Sequence, residues 1–198
     1  MSEKGKIVVI SAPSGCGKST IINSILGTGE LPLRFSVSAT NRAPRQGEQD
    51  GVNYHFLTTD QFRDAIAAGE FVEWEQVYPG RYYGTLRSEL TNAIEKGENI
   101  ILDIDVNGAL NVKKQFGDRA ITIFILPPDI DTLQKRLEKR GTDAPEVIAE
   151  RIGKARYEID HAPQFDLRIV NDDLPVAVAA TESAISSFLH NPVCPKAE

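Results

Sequence analysis

A chain of 198 residues, 41% hydrophobic and 25% charged, is long enough to bury roughly 70% of its extended surface around one good core. Its net charge of −6 argues against broad, unspecific nucleic-acid binding, so any anionic ligand has to be held by local clusters of basic residues. Two cysteines give no disulfide framework, no apolar run approaches the length of a membrane span, and residues 1–4 lack an apolar signal core; the expectation is a cytoplasmic chain with neither nucleic acid nor membrane as partner.

Residues 6–10 read as a strand buried on both faces, of the kind found in a parallel sheet covered by helices. The strand runs into Ala12-Pro13-Ser14-Gly15-Cys16-Gly17-Lys18-Ser19, and residues 20–26 follow with a helical pattern. Strand, glycine-rich turn and helix in that order are the context of a phosphate loop, in which inward-pointing backbone N–H groups and the positive end of the helix face a polyphosphate. Lys18 then reaches the β- and γ-phosphates of a nucleoside triphosphate, and the Ser19 hydroxyl ligates Mg²⁺. Ala12 stands where the pattern has its first glycine, while Gly15 and Gly17 keep the places where a positive φ or a close approach is most needed. Cys16 has two readings: a reactive thiol at a helix N-terminus, or a small residue filling a variable loop position.

Residues 34–40 read as one strand, with Phe35, Val37 and Ala39 alternating against Ser36, Ser38 and Thr40. The row of hydroxyls is either a ligand surface or a solvated face. Residues 41–51 are polar and rich in turn formers, hence a loop, and carry Arg42 and Arg45; Tyr54 opens a strand-like piece over 54–57. Two guanidinium forks near a tyrosine hydroxyl suit a dianionic phosphate, although two solvated loop charges explain the same spacing. Thr58-Thr59-Asp60-Gln61 has the form of a capping box for a short helix that Gly69 ends. Residues 71–78 are β-prone, with Glu73 and Glu75 on one face; a Pro79-Gly80 turn and Tyr82-Tyr83-Gly84-Thr85 follow, and residues 86–96 are helical until Gly97.

Residues 99–105 carry the second signal. As a strand they place Ile101, Asp103 and Asp105 on one face, so that an apolar strand ends in two carboxylates beside Mg²⁺ and ligand at the carboxyl edge of a sheet. The alternative is a strand running out into a polar turn at Asn107-Gly108. A helix over 109–116 and a buried strand over 120–126 come next. Ile130, Leu133 and Leu137 then mark an amphipathic helix bearing Arg136 and Arg140 and ended by Gly141. Residues 143–146 cap the following helix, which carries Arg151 on its flank. Arginines around a glycine hinge fit a mobile cover over phosphates, or a static helical hairpin with solvated charges. A last strand over 167–170, a closing helix over 176–189 and a frayed tail complete the chain.

Taken in order, the phosphate loop, S-V-S-A-T-N-R-A-P-R, F-V-E-W, Y-Y-G-T, I-L-D-I-D and I-V-N-D-D resemble the guanylate kinase family from about residue 6 to residue 189. The resemblance implies an α/β fold of the phosphate-loop (P-loop) NTPase type: a parallel sheet flanked by helices, an inserted smaller mixed α/β subdomain that binds GMP, and a helical lid. The implied single domain covers residues 5–190, with core 5–34, 98–136 and 157–190, GMP-binding subdomain 35–97, lid 137–156 and a flexible tail 191–198. The implied activity is Mg²⁺-dependent transfer of the γ-phosphoryl group of ATP to GMP, giving ADP and GDP, in purine nucleotide metabolism, with dGMP as a further acceptor and no protein partner evident. By that resemblance ATP is held by Ala12, Pro13, Ser14, Gly15, Cys16, Gly17, Lys18, Ser19 and Thr20, with Asn171 near its adenine. The GMP phosphate falls to Arg42, Arg45, Tyr54 and Tyr83, and the guanine to Ser38, Glu73, Thr85 and Asp105; Thr85 stands where the family often has serine. Lys18, Arg136, Arg140 and Arg151 gather on the transferring phosphoryl group, and Mg²⁺ is held directly by Ser19 and through water by Asp103, which also adjoins the GMP site. A kinase of the same fold acting on a phosphorylated sugar would need no guanine readers, and Ser38, Glu73, Thr85 and Asp105 count against it; a non-catalytic protein-binding module would often have a damaged phosphate loop, and Lys18 and Ser19 count against that.

Overall fold

The computed structural model describes residues 4–141 and 144–191, apart from the side chains of Val77, Tyr78 and Arg140. Its elements are β1 (Ile7–Ser11), α1 (Lys18–Thr28), β2 (Leu33–Phe35), β3 (Ala39–Thr40), β4 (His55–Phe56), α2 (Thr59–Ala67), β5 (Phe71–Tyr78), β6 (Arg81–Leu86), α3 (Arg87–Lys96), β7 (Asn99–Asp103), α4 (Val106–Phe116), β8 (Ala120–Leu126), α5 (Ile130–Arg140), α6 (Pro145–His161), β9 (Leu167–Val170) and α7 (Leu174–His190). The strands form a five-stranded parallel sheet in the order β2-β7-β1-β8-β9 and a four-stranded mixed sheet in the order β4-β3-β6-β5. A parallel core flanked by helices, with a smaller mixed sheet, is the architecture expected. β1 is buried at every residue and β8 at all but Leu126, as continuous β-branched runs require in the middle of a sheet covered on both sides.

Two compact units are distinguishable: Arg34–Leu102 with the chain start through Ile7, and Val8–Leu33 with the chain from Asp103 onward. In the first, Phe62 stacks on Phe71 at 4.4 Å and on Tyr82 at 5.5 Å, closing a small core with Ala39 and Ala65. The helix that carries Phe62 starts at the expected capping box: Thr58 Oγ1 accepts from Gln61 N (3.1 Å), and Gln61 Oε1 accepts from Thr58 N (2.8 Å). In the second, α1 packs against α7, α4 against β8 and α5 against α6, and the buried side chains include Ile21, Ile22, Ile25, Phe124, Leu133, Leu137 and Ile185.

Residues 34–40 are not one strand. Leu33–Phe35 joins the parallel sheet and Ala39–Thr40 the mixed one, and between them Ser36 N donates to Ile101 O (2.9 Å). The apolar and hydroxyl alternation therefore does not sort into faces: Ser36 is buried, whereas Phe35 is 47% exposed. Each sheet satisfies the backbone groups of half of the segment, and that requirement overrides the side-chain pattern.

The expected strand over 99–105 also ends early, at Asp103. Asp105 is the N-cap of α4, its Oδ1 accepting from Gly108 N at 2.7 Å, so the two carboxylates do not share a strand face. Capping satisfies an amide that the new helix would otherwise leave without a partner. For the same reason α4 begins at Val106 rather than 109, and α7 begins at Leu174 rather than 176, behind the Asp173 cap. At α6 the N-cap position belongs to Ala144, with Pro145 in the first turn; Thr142 and Asp143, and the tail from 192, lie outside the described residues.

Candidate active site

β1 delivers the chain to a loop that bends through glycine, with φ of 93° at Gly15 and 84° at Gly17, a region in which side chains are strained. Gly17 is the N-cap of α1; it offers no side-chain cap, and the first turn has no acidic residue. The first amides and the positive dipole end of α1 are thus left for an anion. Ser19 and Thr20 are exposed in that first turn. Lys18 is ion-paired with Asp103 at the end of β7, and Arg151 Nη1 donates to Ser14 Oγ at 2.6 Å. The structure thus brings Asp103 to Lys18 at the start of α1 and Arg151 to Ser14 in the loop before it. The side chain of Arg140 lies outside the described residues. Ala12, Pro13 and Cys16 are buried. Burial pushes the Cys16 thiol up to about 12, which fits the small filling residue and not a reactive thiolate.

Asn171 does more than the sequence signalled. It is 5% exposed; its Nδ2 donates to Cys16 O (2.8 Å) and its backbone N to Leu126 O (2.8 Å). Its carbonyl accepts from Arg136 Nη1 at 2.9 Å, and Asp172 O accepts from Nη2 at 3.4 Å. A Cβ on residue 17 would stand 2.5 Å from Asn171 Nδ2, so Gly17 is required twice, for its φ and for this approach. Besides the expected place near the adenine, Asn171 is a brace that ties the phosphate loop to the end of β8 and orients Arg136. No local pattern could show this, because the partners are 155 residues apart.

The expected GMP residues of the first unit fall into two groups. Thr85, fully buried on β6, pairs in register with Glu73 on β5, and its Oγ1 donates to Glu73 Oε1 at 2.6 Å. Ser38 is half-buried, and its carbonyl accepts from His55 N. In the second group the Arg42 guanidinium lies over the Tyr54 ring at 4.9 Å, and Tyr83 meets Tyr54 edge-on at 5.9 Å. Arg45 is exposed. Asp105 belongs to the other unit, where it caps α4.

Sequence reasoning missed Glu48. Arg42 donates to it through both terminal nitrogens, at 2.6 and 2.7 Å, and the backbone N of Arg45 donates to the same carboxylate at 2.7 Å. The bonds from Arg42, then that from Arg45, hold the Glu48 carboxyl down to about 2, and the pairing raises the Arg42 guanidinium further above its usual value. The available signal was an acid six residues after an arginine in one turn-rich loop.

A parallel sheet, a loop turning through two left-handed glycines, a helix start without a side-chain cap and a lysine paired with a carboxylate at the strand end define a phosphate-loop nucleotide-binding protein. The family model for guanylate kinase matches residues 4–188: the chain belongs to the guanylate kinase family. The guanylate kinase of Porphyromonas gingivalis is 53% identical to it over 184 residues, 93% of this chain and 98% of that protein. The guanylate kinase of Bacteroides thetaiotaomicron is 54% identical over 186 residues, 94% and 91% of the two chains. The crystal structure of guanylate kinase from Anaplasma phagocytophilum matches with a TM-score of 0.72 at 29% identity, covering 96% of this chain and 89% of that one.

Proposed function

We propose that this chain transfers the γ-phosphoryl group of ATP to GMP, giving ADP and GDP, with dGMP as a further acceptor. The observation that carries the reading is an intact phosphate loop, with Lys18 paired to Asp103, in a member of the guanylate kinase family. Residues 35–97 serve as the GMP-binding part, 137–156 as the lid and the rest of 5–190 as the core. No helix among the described residues is long and apolar enough to cross a membrane, and the cytoplasm is the proposed location.

A phosphate monoester has a second pKa of about 6, so the attacking oxygen of GMP is largely anionic at neutral pH and needs no general base. Catalysis is then alignment and charge stabilisation. Lys18, Arg136, Arg140 and Arg151 meet the charge that spreads over the equatorial oxygens of the transferring group. Arg136 is fixed in advance by the carbonyls of Asn171 and Asp172, so it needs little reorganisation as charge develops. Asn171 lies near the adenine of ATP and also braces the loop that holds its phosphates.

Guanine presents N1–H and its exocyclic amine side by side, and the Glu73 carboxylate can accept both; adenine has no proton on N1 and would leave the carboxylate unmatched. Thr85 holds that carboxylate in place through its hydroxyl, and Ser38 and Asp105 are the other proposed guanine readers. Arg42, Arg45, Tyr54 and Tyr83 hold the monophosphate.

The loop residues fit Mg²⁺. The Ser19 hydroxyl is a hard oxygen donor exposed in the first turn of α1, and the Asp103 carboxylate, already engaged by Lys18, suits a contact through water. Held by Ser19 and, through water, by Asp103, the ion would supply charge neutralisation to the polyphosphate.

The test is ADP release from Mg·ATP with GMP, AMP, UMP or ribose 1,5-bisphosphate as acceptor, with Lys18→Ala as the blank. Turnover with GMP and not AMP, lost in Lys18→Ala, is expected. Turnover with the sugar alone would keep the fold and overturn the base site; turnover with none would leave a binding module.

A further inference from the structure

The loop between β3 and β4 holds Arg42 in a way that bears on how a monophosphate is recognised. The Arg42 side chain is only 8% exposed, and its guanidinium lies over Tyr54 at 4.9 Å and Phe56 at 5.6 Å, with Tyr83 edge-on to Tyr54 at 5.9 Å. A buried guanidinium is costly unless it is paired and its donors are satisfied. Glu48 meets that need at the end of the fork: Nη1 donates to Oε2 at 2.6 Å and Nη2 to Oε1 at 2.7 Å, while Nη1 also donates to Ala43 O at 3.0 Å.

Glu48 is itself held by the backbone. Its Oε2 accepts from Arg45 N at 2.7 Å, and its own N donates to Arg45 O at 3.0 Å. The carboxylate is therefore anchored independently of the guanidinium that it pairs with. One donor of the fork differs from the rest: Nε is buried and has no hydrogen-bond partner among the described residues. A buried donor left unmade costs far more than a net hydrogen bond contributes, which marks Nε as the place for an acceptor from outside the protein.

We infer that Glu48 is a positioning residue for the monophosphate: it occupies the end of the Arg42 fork, fixes the guanidinium against Tyr54 and Phe56, and leaves Nε, with Tyr54 and Tyr83, to the phosphate oxygens. The inference rests on the GMP reading and deepens it. Carboxylate and phosphate take different donors of one arginine and do not compete. Glu48 stays in place when GMP binds, and its negative charge is tolerated beside the phosphate because the guanidinium lies between the two groups.

The experiment measures binding of GMP and of guanosine, which lacks the phosphate, to wild type, Glu48→Gln, Glu48→Asp, Arg42→Lys and the Glu48→Gln/Arg42→Lys double variant, together with KM for ATP. In Glu48→Gln one acceptor oxygen becomes a donor facing the fork. GMP affinity should fall by about tenfold or more, the order expected when a hydrogen bond to a buried charge is lost. Guanosine affinity and KM for ATP should stay within about twofold, because neither ligand uses the Arg42 donors, and Glu48→Asp should lie between Gln and wild type. On the Arg42→Lys background the Glu48 substitution should add little further loss, since the fork it positions is gone. Unchanged or tighter GMP binding in Glu48→Gln would overturn the inference, as would an equal loss for guanosine or a full additional loss in the double variant. Wild type that binds no GMP would overturn the GMP reading and the inference together, whereas GMP binding that is indifferent to Glu48 overturns the inference alone.

Discussion

Cys16 shows how burial decides the chemistry of a single residue. A thiol at a helix N-terminus next to a lysine is a candidate nucleophile on paper, and the neighbouring cations Arg136 and Lys18 do favour its thiolate, whereas Glu158 opposes it. Desolvation outweighs the cations and raises the thiol to about 12, so at pH 7.5 the thiol stays protonated. Iodoacetamide at pH 7.5 should therefore leave Cys16 unmodified in the folded protein and modify it in denaturant, as peptide mass spectrometry would show. Rapid native labelling of Cys16 would mean that the loop opens far more often than its packing suggests. Lys18, Ser19 and Glu73 were legible as single letters because motif and residue chemistry agree. Asn171 and Glu48 were not, because a neutral amide and a loop acid carry no local signature of what they will touch.

At the level of elements, the β5 and β6 hairpin positions Glu73 and Thr85, the proposed guanine readers, through packing as much as through hydrogen bonds. Gly84 pairs in register with Trp74, next to the Glu73 and Thr85 pair, and a Cβ there would stand 2.7 Å from Glu73 O, 2.8 Å from the Phe71 ring and 2.9 Å from Trp74 Cβ. Two of these obstacles are backbone or Cβ atoms, which cannot rotate away. Gly84→Ala should therefore cost about 1–3 kcal/mol as overpacking. That corresponds to a drop of roughly 2–12 °C in thermal midpoint for a chain of this size, and displacement of Glu73 should raise KM for GMP more than KM for ATP. Calorimetry with steady-state kinetics on both substrates would check it; a variant with wild-type midpoint and KM would show that the strands can separate at no cost. The glycine was visible in the Y-Y-G-T string, but its reason was not, because the obstructing atoms belong to the other strand. The split of residues 34–40 between two sheets and the capping role of Asp105 have the same origin: backbone hydrogen bonding chose the boundaries, and side-chain alternation followed.

For the whole molecule, a ligand that binds only the folded state stabilises it by mass action, by about 2.7 kcal/mol at a concentration one hundred times its Kd. GMP should on this basis raise the thermal midpoint by roughly 5–10 °C at that concentration, while AMP at the same concentration should shift it far less, because it leaves the Glu73 carboxylate unmatched. Equal shifts from both nucleotides in differential scanning calorimetry would remove Glu73 and Thr85 from base recognition. The sequence by itself determined the fold class, the phosphate loop, most helices and strands, and the family, because each is written in contiguous letters: apolar runs, glycines at fixed spacing, capping residues and motifs in one order. Only the tertiary structure decided that Asn171 braces the loop at Cys16 across 155 positions, that Glu48 holds the fork of Arg42, and that Thr85 holds Glu73. The reason is physical: a hydrogen bond depends on distances and angles set by the packing of whole elements, and residues far apart in the chain acquire those only when the elements come together.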